Sequence, residues 1–315
     1  MDFFTHLVFG GLMYLLLLGD VTLDYFFLAI IFSILPDLDI FLAPLRRFLN
    51  SKYLEHRGGS HSYLIGLIIS LLASVIISPL TQKSFFVVWI IGFCFYGLHV
   101  SMDLLTTTKI PYLFPISKKE HCFYVEKAGS MFTFINSIIF ILLPVILFRL
   151  FPGVMFIQFY ITFYTYFFII YYCYRIISKF LISSTLEPNQ KYLPGILPFY
   201  YRIYSHEVIG NEITSSIEKK MHFSKNKVSI KVSTTLNTQE KIFLEMAEKL
   251  NKKHYYFSKW TSFPIFVRTD EIFSIKFFFL ETMMHKRTML VQYDFNKETN
   301  DLISSNQKSG PIQSI

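Results

Sequence analysis

Long stretches without a charged residue dominate the first half of the chain. His6 to Gly19, Tyr25 to Pro36, Leu64 to Leu80, Phe85 to Met102, Met131 to Phe148 and Pro152 to Tyr174 are six such apolar runs. A helix rises about 1.5 Å per residue, so crossing the hydrocarbon of a bilayer takes roughly 20 residues. The last four runs reach or approach that length. The first two are short, fit for tilted spans or for a hairpin packed at the interface. The pattern therefore predicts a polytopic bundle of about six membrane helices over residues 1–175.

Beyond Arg175 the texture changes, with Lys and Glu returning. Asn189, Pro194, Gly195 and Pro198 mark residues 176–200 as a linker. Lys227 to Val232 alternates with period two and reads as a strand. Gln239 to Asn251 places Ile242, Phe243, Met246, Ala247 and Leu250 on one helical face. Ile265 to Val267, Ile272 to Leu280 and Met289 to Phe295 read as further strands. Residues 201–300 thus predict a small soluble α+β domain with an antiparallel sheet, and residues 301–315 a frayed tail.

Composition supports the membrane reading. Of 315 residues, 52% are apolar and 17% charged, against roughly 25% charged in ordinary soluble domains. This much apolar surface excludes intrinsic disorder and argues against a freely soluble enzyme. The net charge of +8 suits an anionic lipid surface, and with no recognition motif in the basic tail no nucleic-acid partner is expected. Cys94, Cys122 and Cys173 are odd in number and lack CxxC spacing, which argues against a disulfide framework. Asp2 stands where a secretory leader would be basic, so no cleavable signal is expected.

Lys and Arg in the connections set the expected orientation. Arg46, Arg47, Lys52, Arg57, Lys109, Lys118, Lys119, Lys127, Arg175 and Lys179 would lie on one side, against Lys83 and Arg149 on the other. That bias places both termini and the long loops in the cytoplasm.

The polar residues at the helix ends carry the chemistry. His6 opens the first run, Asp37 and Asp39 close the second, His56, Arg57 and His61 precede the third, and His99 and Asp103 close the fourth. In an up-down-up-down bundle all of these fall at one depth on one side. Singly, each has an ordinary reading, as an interfacial histidine, a solvated turn acid or a cap. Together, where ionisable groups are costly, they read as a functional cluster. His99 and Asp103 share a helical face at i and i+4. Pro36 leaves Asp37 and Asp39 on a turn, and Gly58-Gly59 lets His56 and His61 approach each other. Arg57 offers a planar cation for an oxyanion or a lipid headgroup. Four imidazoles and three carboxylates without a thiolate suit one or two divalent cations, zinc first, with manganese or magnesium as alternatives. Such a cation makes activated water available near neutral pH. Asp39 and Asp103 have the chemistry of a base and of an orienting group, and Arg57 that of an oxyanion holder.

Asp2-x-x-Thr5-His6, Pro36-Asp37-x-Asp39, His56-Arg57-Gly58-x-Ser60-His61-Ser62 and His99-x-x-x-Asp103-x-x-Thr106-Thr107 follow one another in order over about residues 1–120. This ordered set resembles the YdjM family of membrane-bound, metal-dependent hydrolases. The resemblance implies a membrane-embedded hydrolase with distant kinship to zinc phospholipases and nucleases. It also implies that His6, Asp37, Asp39, His56, His61, His99 and Asp103 are the family's polar positions. Ser60 stands where Thr is usual, Lys109 where Gly is expected, and Asn136 in place of a frequent acid. Thr106 and Thr107 are expected to back-bond to the helix end. His121 is expected to be solvated, and His206, His222, His254 and His285 have no assigned role.

The expected function is therefore metal-activated hydrolysis of an ester, plausibly a phosphoester of a small or lipid-like substrate in or at the membrane. A transporter would string its polar residues through the helices instead of gathering them at one end. A metal-stapled membrane scaffold is the other alternative.

Overall fold

A computed structural model describes residues 1–19, 23–42, 44, 54–150, 154–224, 227–284 and 287–312. Two compact units result, Met1–Ser178 and Lys179–Ile315.

The first unit contains α1 (Phe3–Leu18), α2 (Leu23–Ile34), a 3-10 segment (Leu35–Leu42), α3 (Tyr63–Thr81), α4 (Phe85–Leu104), α5 (Met131–Leu150) and α6 (Val154–Ser183), which runs just past the unit's end. Local chemistry starts two of them: the Asp2 carboxylate accepts from Thr5 N at 2.9 Å, and Ser62 Oγ from Leu64 N at 3.2 Å. Pro36 has no amide hydrogen to continue the α-helical ladder, and from Leu35 the chain tightens into the 3-10 segment. That segment lengthens the second apolar run to 19 residues, Asp24–Leu42, enough to cross a membrane. The second run, expected to be short, thus reaches spanning length. Four described helices are long and apolar enough to cross: Asp24–Leu42, Tyr63–Thr81, Phe85–Leu104 and Gln158–Ser183. Phe3–Leu18 and Met131–Ile146 are shorter apolar helices.

α4 is the central element, packed against α2, α3 and α1. Its buried residues Val88, Ile91, Gly92, Phe95, Tyr96, His99, Val100 and Asp103 recur at three- and four-residue steps, so His99 and Asp103 end the same stripe that makes the core. α3 meets it with Gly66, Ser70 and Ser74, a small-residue seam that lets the backbones close. A methyl group at Gly66 would lie 2.3 Å from the Tyr96 ring, and one at Gly10 of α1 would lie 1.9 Å from Ser33 Oγ of α2. At the far end, Lys83 pairs with Asp24 at 2.9 Å. α6 packs Tyr160, Tyr164, Phe168, Tyr171 and Tyr172 into a cluster with Val8, Leu12 and Met102.

The second unit has two antiparallel four-stranded sheets. One is ordered β1 (Gln190–Pro194), β2 (Tyr200–Ile209), β3 (Glu212–Met221), β4 (Lys227–Thr235); the other β5 (Ser262–Arg268), β6 (Ile272–Phe279), β7 (Arg287–Asn296), β8 (Leu302–Pro311). Helix α7 (Thr238–Lys253) begins with a capping box of Asn237 and Glu240. Phe243 and Ala247 from its expected apolar face enter a core with Phe273, Phe277, Phe279 and Phe295, and Met246 and Leu250 pack against it. Ile242, expected on the same face, is exposed. Two further expectations are corrected. Residues 176–200 are not a linker throughout, because they contain the end of α6 and strand β1. The tail is ordered as β8, paired along β7 with Tyr293 opposite Ser305. It is an exposed edge strand with little apolar alternation, so ladder hydrogen bonds place it, not a hydrophobic pattern.

Candidate metal centre

All eight residues singled out by sequence converge at one end of the bundle, in two layers. Asp37, His61, His99 and Asp103 each offer one ligand atom, and these four atoms lie within 4.8 Å of one another. The side chains are 0–9% exposed.

Hydrogen bonding decides which nitrogens face inward. His99 Nδ1 lies 2.7 Å from the Ser33 carbonyl oxygen, which can only accept, so Nδ1 carries the proton and Nε2 keeps its lone pair. His61 Nδ1 faces Ser60 Oγ at 3.1 Å and Asp39 Oδ2 at 3.4 Å, which turns its Nε2 inward as well. The two Nε2 atoms are 3.2 Å apart. His61 Nε2 is also 3.2 Å from Asp103 Oδ2 and 3.5 Å from Asp37 Oδ1, and His99 Nε2 is 3.7 Å from Asp37 Oδ1. Asp37 Oδ1 and Asp103 Oδ2 are buried and accept no hydrogen bond among the described residues. Arg57, with Nε 3.2 Å from Asp103 Oδ2, offsets part of the repulsion among two imidazole lone pairs and two carboxylate oxygens aimed at one another, and a divalent cation among them would offset the rest. The donor set fits a divalent metal of the zinc or manganese type.

Asp39 and His56 stand one layer out. Asp39 Oδ2 accepts from Ser60 Oγ at 2.5 Å and from Arg57 N at 3.1 Å, and His56 Nδ1 lies 2.7 Å from Asp39 Oδ1. Both oxygens are thus engaged in holding the 56–61 loop and in orienting His61, the carboxylate–histidine arrangement that supports ligands elsewhere. His6 stacks on His99 with ring centroids 3.7 Å apart and reaches Asp103 Oδ1 at 3.3 Å. Arg57 Nε lies 3.2 Å from Asp103 Oδ2, and its Nη2 donates to Met1 O at 2.5 Å. The Met1 amino group contacts Asp103 Oδ1.

The family model for the YdjM inner membrane protein matches residues 1–181. The chain belongs to the YdjM inner membrane protein family. It is a membrane protein, with four helices of spanning length and every expected site residue inside the matched region. No curated protein and no solved structure matches it.

Several members of this YdjM-family site carry no motif signal. Ser33 acts through its backbone oxygen, and Gly10 admits its side chain. Tyr96, laid flat on Gly66, donates its hydroxyl to Ser60 O and so anchors the loop that presents His61. Only the small-residue spacing on α1 and α3 hints at either. Thr106 Oγ1 bonds to Asp103 O at 2.8 Å as expected, while Thr107 Oγ1 accepts from Ala128 N. Asn136 bonds to Phe132 O of its own helix. His121 is half-exposed, its ring 5.3 Å from that of Tyr112. Arg46, Arg47, Lys52 and His285, and the side chain of Arg149, lie outside the described residues.

Proposed function

We propose that this protein is a membrane-bound, metal-dependent hydrolase that cleaves an ester, most simply a phosphoester, of a membrane-associated substrate. The observation that carries the reading is the pair of orphaned carboxylate oxygens facing two inward imidazole nitrogens. Asp37, His61, His99 and Asp103 hold the cation, with zinc preferred for this nitrogen and oxygen set. When bound, it polarises an ester oxygen and lowers the pKa of water toward about 7.

The chain's own groups do the rest. Asp39 keeps the proton on His61 Nδ1 and is a positioning residue, in revision of the direct role its sequence suggested. Arg57, held between Asp103 and the Met1 carbonyl, brings a fixed positive charge to the developing oxyanion. Asp103, expected as a base, serves as a ligand here, because its Oδ2 faces the cation and its Oδ1 is engaged by His6 and the Met1 amino group. The excess of Lys and Arg at the metal end, Arg57, Lys109, Lys118, Lys119 and Lys127 against Lys83 at the other, supports a cytoplasmic orientation of the site and both termini.

The burial of all four ligating side chains favours one rival, a metal that only staples the helices. Turnover of phosphomonoesters, phosphodiesters and phospholipids with and without chelator separates the two. Hydrolysis lost on chelation from a protein that stays folded supports the enzyme. Chelation that unfolds a protein showing no turnover supports the staple.

A further inference from the structure

The loop between α4 and α5 leaves α4 at the metal end and is pinned to the segment that carries His61. Ser62 Oγ donates to Phe114 O at 2.5 Å, and Tyr63 N donates to Tyr112 O at 3.0 Å. The loop is closed on itself by reciprocal bonds between Ile110 and His121, both 3.0 Å, and tied to α4 where Phe123 N donates to Leu104 O at 2.7 Å. It is therefore one fixed piece with the site.

Its outer surface has an unusual composition. Ile116 is 80% exposed, Phe123 53% and Leu113 39%, three large apolar side chains presented by one loop. Lys118 and Lys119 are exposed beside them, Lys109 is half-exposed, and Glu120 is the one acid between 109 and 123. Apolar tips flanked by net positive charge match the boundary between acyl chains and anionic headgroups. The loop also begins and ends on apolar helices, so lipid is the surface within reach of it.

We propose that residues 109–123 form an interfacial anchor that seats Leu113, Ile116 and Phe123 among the acyl chains and gathers anionic headgroups at Lys109, Lys118 and Lys119. The preferred substrate is then an anionic phospholipid drawn from the bilayer, favoured by the anchor over a water-soluble phosphoester. As a statement about substrate this rests on the hydrolase reading above; as a statement about the loop it does not.

Each lysine at an anionic surface is worth about a fivefold local preference. The test uses the full chain in lipid nanodiscs, with Cys94→Ser, Cys122→Ser and Cys173→Ser, and an environment-sensitive fluorophore on Ile116→Cys. Blue-shifted emission is expected, quenched at least fivefold more efficiently by acyl-labelled phosphatidylglycerol than by equally labelled phosphatidylcholine. Lys118→Glu with Lys119→Glu should abolish that preference. Emission that is water-like and open to an aqueous quencher in both lipids overturns the anchor. In parallel, the charge-reversed variant should hydrolyse bilayer phosphatidylglycerol about tenfold more slowly and a soluble phosphodiester at the wild-type rate. Equal loss on both substrates overturns the substrate assignment. Wild-type protein that cleaves neither overturns the hydrolase reading, and the substrate assignment with it, while the fluorescence still decides the anchor.

Discussion

The difference between a ligand and a residue that aims a ligand is set by single hydrogen bonds. Asp37 and Asp103 each keep a buried oxygen that accepts no hydrogen bond among the described residues, whereas Asp39 has both oxygens occupied by His56, Arg57 N and Ser60. His99→Ala and Asp37→Asn should each lower bound metal in the purified protein to less than half of the wild-type content. Asp39→Asn should instead keep full stoichiometry at saturating metal while weakening affinity by about 10- to 100-fold, as loss of an orienting partner does. Metal analysis and competition with a chromogenic chelator read both, and identical behaviour of Asp37→Asn and Asp39→Asn would remove the distinction. All of these residues were legible in the sequence only as a set, because each alone has an ordinary reading at a helix end whereas eight at one depth of a bundle do not. Their division into two layers was not, since it depends on the Ser33 carbonyl and on Ser60 and Arg57 N, which any sequence supplies.

At the scale of elements, close approach of helices puts the four candidate ligands together. Gly10 and Gly66 leave no room for a methyl group against Ser33 and Tyr96. Gly10→Ala and Gly66→Ala should each destabilise the bundle by about 1–3 kcal/mol, as overpacked cores do. A lower melting temperature in detergent checks this, together with weaker metal affinity because Ser33 O and the Ser60 loop are displaced. A second tie is ionic. Glu126, in the loop after α4, receives Arg175 of α6 at 3.0 and 3.3 Å and the Tyr171 hydroxyl at 2.5 Å, all nearly excluded from solvent. Glu126→Ala alone should cost about 3–5 kcal/mol by stranding a buried guanidinium, and Glu126→Leu with Arg175→Met distinctly less. Equal losses in the single and double variants would show that the pair is not coupled. The apolar runs disclosed α3, α4 and α6 directly. They under-read α2, because a run ending at Pro36 looks finished while the chain in fact continues as a 3-10 segment to Leu42. In the second unit, β4 to β7 and α7 followed from periodicity, but β8 is held by its ladder partner alone and leaves no such trace.

For the whole molecule, the charge asymmetry of the connections makes a topological prediction. A reporter fused at the C-terminus should give a cytoplasmic readout, and a periplasmic or extracellular one would invert the assignment of the metal end. The family match ends at residue 181, close to the end of α6 at Ser183 and to the start of the second compact unit, so the candidate metal centre lies wholly within the first unit. The central claim is that four groups, from the 3-10 segment, the Ser60 loop and α4, share one cation. Diffraction from crystals of the purified protein at the absorption edges of zinc and manganese tests it most directly. The account predicts an anomalous peak among Asp37, His61, His99 and Asp103, with Asp39 outside the coordination sphere. Crystals of metal-replete protein with no peak there, or with the peak bound by other residues, would contradict it.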